Sequence, residues 1–158
     1  MVALKIALAE ARTTRSAFNY WLGAGLLSTD FKETTSGVAR KLSRENVLEL
    51  AMMSVFIDMG SPPKWAQSEI RQWLVHRRGE LPNFLVRRHD EADWYPASNM
   101  TMDELAGELL PAIKPKYMAD DDPRLTEQVA AAFSVINLAE IKKRVDELFD
   151  AVGETDDA

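Results

Sequence analysis

A mainly α-helical chain, with a small α+β region toward its C-terminus and a closing helix, is what these 158 residues predict. Three observations carry that expectation. Apolar residues recur at three- and four-residue spacing through most of the first 77 positions and again over 138–152, as on a helix face that packs on a core. Ser, Thr or Asn stands ahead of these runs and glycine follows several of them, as helix ends require. Strand character is confined to short stretches. The length fits one domain or two very small ones and suffices for a core without staples. The change of character after Gly79 divides the chain into 1–78 and 79–158.

The elements follow in order. Leu4, Leu8 and Ala11, with Ile6 and Ala7, predict a short amphipathic helix over 2–11, broken at Arg12-Thr13-Thr14. Thr14 is a fitting N-cap for a second helix, whose buried face is Ala17, Phe18, Trp21 and Leu22. Arg15, Ser16, Asn19 and Tyr20 fall on the other face, and Gly23 and Gly25 end the helix. Residues 28–42 lack helical periodicity, so Phe31 and Val38–Leu42 are expected to pair as a hairpin. Ser43 caps a long apolar helix that runs to Gly60, a residue suited to the left-handed position past a helix end. Ser61-Pro62-Pro63 restarts a helix that continues to about Arg77, since proline is tolerated in a first turn.

Beyond it, Asn83–Arg88 reads as a strand and Trp94-Tyr95 as its return. Thr101 and Glu104 form a capping-box signature. Pro111, Pro115, Pro123 and Asp120–Asp122 mark an irregular connector. Ala130–Val135 fits a helix end or a strand, and Asn137 with Glu140 opens the last helix. Its stripe of Leu138, Ile141, Val145, Leu148 and Val152 is two heptads long. That is too short for an independent coiled coil but enough to pack on a partner subunit or on residues 80–135 of the same chain.

Charge sharpens the division. The net charge is −6, which at face value opposes nucleic-acid binding. Yet residues 1–46 carry seven basic and four acidic side chains, a net +3, while the other 112 residues carry twelve basic and twenty-one acidic, a net −9. Such asymmetry marks a nucleic-acid or partner-binding face joined to something else.

Helix, tight turn, helix, hairpin, helix and helix is a winged helix-turn-helix layout, in which the second helix enters the major groove. The fold class expected is therefore mainly α, an N-terminal winged helix-turn-helix with a small α+β C-terminal region ending in a helix. Ala17-Phe18-Asn19-Tyr20-Trp21, Gly25-Leu26-Leu27, Gly37 with Arg40-Lys41, Leu42-Ser43-Arg44-Glu45-Asn46-Val47 and Met59-Gly60-Ser61 run in close order. Over residues 6–60, about 55 residues, the chain resembles a divergent member of the MerR-like transcriptional regulators. It departs from their pattern at Asn19, where arginine is usual, at Val38, where an aromatic is usual, and in a first helix about one residue shorter. An extra residue also stands between Gly37 and Ser43.

On this layout Arg15, Ser16 and Asn19 lie near base edges, arginine suiting guanine and asparagine adenine. Arg40 and Lys41 lie where a wing reaches the DNA backbone, and Lys32 and Arg44 are candidates for the same contact. The resemblance further implies a phosphate contact by Tyr20, and dimerisation through the last helix by Leu138, Ile141, Val145, Leu148 and Val152. A homodimer would offer two recognition helices to a two-fold-related site.

Other chemistries find no support. Absence of cysteine excludes a disulfide framework, a thiolate metal site and a cysteine nucleophile. His76 and His89 lack partners at metal-ligand spacing, because consecutive residues such as His89–Asp93 rarely converge on one ion. No phosphate loop or nucleophile elbow is present. No enzyme activity, cofactor or metal is expected. Trp65, Trp73, Trp94, Tyr95, Phe84 and Met100 suffice to line a small-molecule pocket and equally to form a core. No apolar run is long enough to span a membrane, and Lys5 and Glu10 interrupt the only stretch resembling a signal peptide. A cytoplasmic, homodimeric regulator binding double-stranded DNA is the expectation. The alternative is a winged-helix module that binds a protein, such as an adaptor, anti-repressor or antitoxin.

Overall fold

A computed structural model describes residues 1–28, 31, 40–76, 81–88, 94–98, 100–106 and 133–156. The protein is mainly helical, with small sheets and a long C-terminal helix. It divides into two compact units, Met1–Leu81 with Leu138–Ala158, and Pro82–Asn137.

In the first unit, β1 (Val2–Ala3) precedes α1 (Leu4–Glu10). A four-residue turn leads to α2 (Arg15–Gly23), and β2 (Lys41–Leu42) leads into α3 (Arg44–Asp58). α4 (Pro63–Arg71) then widens into a π-helical turn over Gln72–His76. The last helix, α5, spans Leu138–Asp156.

The expected caps form. Thr14 Oγ1 accepts from the Ala17 amide at 3.1 Å, satisfying one of the free donors of the first turn of α2. Ser43 Oγ accepts from the Asn46 amide at 3.2 Å while Asn46 Oδ1 accepts from the Ser43 amide at 3.1 Å. α2 closes with the Leu26 amide donating to the Trp21 carbonyl, and α3 with the Ser61 amide donating to that of Phe56. Gly25 (φ 66°) and Gly60 (φ 81°) supply the left-handed residue each closure needs. A Cβ at either would meet nothing within 4 Å, so conformation rather than space selects glycine.

Two expectations change here. The first helix begins at Leu4, because Val2–Ala3 is extended and pairs antiparallel with Lys41–Leu42 (Val2 opposite Leu42, Ala3 opposite Lys41). Among the described residues, the partner of Lys41–Leu42 is therefore the N-terminus rather than Phe31. The rest of the expected hairpin, 32–39, lies outside the described residues. Phe31 itself sits by α2, its ring 5.8 Å from that of Phe18.

α3 is the axis of the unit. Asn46 through Ser54 are all buried, so the helix is enclosed round its circumference and not on one stripe. α1, α4 and α5 pack on it. Phe18, Trp21, Leu50, Met52, Met53, Phe56, Ile70, Trp73 and Leu138 form much of this core.

The second unit is built on a three-stranded antiparallel sheet of order β4 (Tyr95–Ala97), β3 (Phe84–Arg88) and β5 (Phe133–Asn137). β5 makes 133–135 of the ambiguous 130–135 stretch a strand, and 130–132 lie outside the described residues. Its register with β3 runs from Phe84 opposite Asn137 to Arg88 opposite Phe133. Pro96 lies on β4, an edge strand among the described residues, where proline is tolerated. Phe84, Val86 and Leu105 form a small core with Ala97, Met100 and Val135 against it. Of the aromatic set, Trp73, Phe84 and Trp94 are thus buried, whereas Trp65 is 46% exposed.

Candidate nucleic-acid interface

The polar face of α2 forms as the spacing requires. Arg15, Ser16, Asn19 and Tyr20 are all exposed, with Tyr20 62% accessible, while Phe18 and Trp21 are buried on the opposite side. Positions 15 and 19, and 16 and 20, are one helical turn apart, so the four share one continuous surface.

α2 is held at both ends by side chains from α3 and α4. Ahead of it, Ser54 Oγ donates to the Arg12 carbonyl at 3.2 Å. Behind it, the buried Glu49 carboxylate accepts from the Ser28 amide, and Gln67 Nε2 donates to the Gly25 carbonyl at 2.7 Å. Sequence reading missed all three. Their signal was available at two places, since Glu49 and Ser54 interrupt an otherwise apolar run at positions that the helix buries. Buried polar groups need partners, and the free backbone groups beside a neighbouring helix are common ones.

The turn before α2 contains the only non-glycine residue with positive φ among the described residues, Arg12 (φ 51°). The Thr13 amide donates to the Leu8 carbonyl at 3.0 Å and the Arg12 amide to that of Ala9 at 3.1 Å, the closure that elsewhere in this chain uses glycine.

Electrostatics favours an anion on this side. Residues 1–28 contain three basic side chains, Lys5, Arg12 and Arg15, and a single acid, Glu10. Glu10 is spoken for: Arg144 of α5 donates through Nε to its Oε1 at 3.0 Å and through Nη2 to its backbone carbonyl at 3.3 Å. Lys5, Arg12, Arg15 and Lys41 are exposed, and none has an ion pair among the described residues. Pairing of β1 with β2 sets Lys41 opposite Ala3, two residues before Lys5 in the chain.

The remaining predicted residues fall differently. Arg40 is half-buried, its guanidinium 5.6 Å from the Phe18 ring centre. Arg44 is turned toward α5, with Nη1 2.9 Å from Asp146, Nη2 3.2 Å from Asp150, and its guanidinium 5.5 Å from the Phe149 ring. Lys32 lies outside the described residues. In the apolar stripe of α5, Leu138, Ile141 and Val145 are buried where α3 and α1 pack against the helix, and Leu148 and Val152 are half-buried.

No protein-family model matches the chain, and comparison with curated proteins finds no match. Among the described residues, no helix is long and apolar enough to cross a membrane.

Proposed function

We propose that the protein is a sequence-specific double-stranded DNA-binding regulator of the winged helix-turn-helix type, with α2 as the helix that reads the major groove. One observation carries the reading: four polar side chains suited to base and phosphate contact lie together on the exposed face of a helix fixed at both ends. Arg15, Ser16 and Asn19 would read base edges, and Tyr20 would donate to a phosphate. Lys41 and its neighbours would contact the backbone and set orientation. Arg44 contributes less, because contacting phosphate would mean leaving two carboxylates. The acidic remainder of the chain would repel phosphate and leave the α1–α2 side as the favourable approach.

The protein acts as a homodimer in this reading, so that two α2 helices meet two half-sites. Three members of the α5 stripe are covered within the chain, so Leu148 and Val152 would carry the larger share of any α5 contact.

Selection from a random duplex library, followed by binding across a salt series, tests the proposal. A defined motif and a steep loss of affinity with salt are expected. Arg15→Ala should weaken binding and relax the motif, and Lys41→Ala should weaken binding alone. Flat, negligible binding would sink the DNA reading in favour of a module that binds another protein.

A further inference from the structure

A cleft of about 560 Å³ opens between α1, the turn before α2 and Arg40. Lys5, Arg15 and Arg40 line it together with Thr13, and its walls are Ala3, Leu4, Leu8 and Ala9. Three cations line it, and none of the described lining residues is acidic. Arg40 is half-buried, its guanidinium held beside the Phe18 ring. Apolar walls strengthen the pull of the cations on an anion, because they lower the local dielectric.

We propose that this cleft binds a phosphate group carried on a small apolar body, with Lys5 and Arg40 balancing its charge. Phosphate fits better than carboxylate, because its tetrahedral oxygens can meet cations on separate elements from different directions. A sugar attached to it packs its carbons on Leu4 and Leu8. On the DNA reading above, on which this assignment of source rests, the occupant is a backbone phosphate with its deoxyribose. Lys5 and Arg40 then become positioning contacts that anchor α2 in the groove without reading sequence.

The test has two arms. In the first, Lys5→Gln, an exposed position where folding is not at stake, is compared with the unaltered protein on the selected duplex. Affinity should fall about 3- to 10-fold near physiological salt, the log–log salt slope should lose about 0.9, and the motif should stay the same. Arg40→Lys, which keeps the charge but not the planar fork, should also weaken binding. In the second arm, inorganic phosphate and deoxyribose 5-phosphate are titrated while the Thr13 amide is followed by NMR. A saturable shift, larger for the sugar phosphate and lost in Arg40→Lys, supports the cleft. Steep duplex binding that both variants leave intact, with no Thr13 shift, overturns the cleft and leaves the DNA reading standing. A Thr13 shift without any duplex binding supports the cleft, makes a free phosphate ester its ligand, and overturns the DNA reading.

Discussion

At the scale of single residues, the turn before α2 is where local preference and fold disagree. Arg12 adopts a left-handed conformation that costs a residue with a Cβ about 1–2 kcal/mol. Glycine there would escape that cost while losing some of the gain to chain entropy. Arg12→Gly should therefore raise stability by about 0.5–1 kcal/mol in urea unfolding. Ser54→Ala, which strips the Arg12 carbonyl of a partner, should lower it by about 1 kcal/mol. In the second unit, Glu104 Oε2 accepts from the Thr101 amide at 2.6 Å and from its hydroxyl at 3.0 Å, which holds its carboxyl below the ordinary glutamate range. The backbone bond is the larger cause. Because the folded value is depressed, its contribution is present above the unfolded glutamate value and is lost as pH falls through the folded one. Carboxyl NMR should find Glu104 titrating lower than a free glutamate, and Thr101→Val, which removes the hydroxyl but keeps the backbone amide, should raise it only part of the way.

At the scale of elements, much of the helix grammar was legible and the partnerships were not. Thr14, Ser43 and Thr101 cap where their sequence neighbours said they would, since capping depends on residues three apart. Gly25 and Gly60 mark left-handed ends for the same local reason. The β1–β2 pairing was invisible, because two-residue strands have no periodicity and their partners lie about 40 residues apart. The stripe on α5 announced a buried face without saying what would cover it. Residue types on α2 predicted its exposed face well, yet nothing local to α2 reveals that Glu49, Ser54 and Gln67 hold its ends. Arg44 shows the converse: its position suggested a phosphate contact, while Asp146 and Asp150, a hundred residues on, decide where it points. α5 itself should be integral to the first unit. Val145, 1% exposed, should cost about 2 kcal/mol on truncation to alanine. Arg44→Ala should cost under about 1 kcal/mol, since its ion pairs are half in solvent.

At the scale of the whole molecule, charge is unevenly distributed. The acid of the first 28 residues is engaged by Arg144, so the α1–α2 side is more positive than a count of side chains implies. The seven basic and four acidic residues of 1–46 still set a modest total, which favours two copies acting on one duplex. The DNA reading thus stands on a fixed helix, its exposed polar face and a flank of cations without ion pairs among the described residues. Its most direct test is the salt dependence of binding to a duplex selected from random sequence, measured for the unaltered protein and for Arg15→Ala. The account predicts a log–log slope of about −3 or steeper, and an Arg15→Ala protein that binds more weakly and no longer discriminates at one position of the motif. A slope near zero, with no motif recovered for either protein, would contradict it.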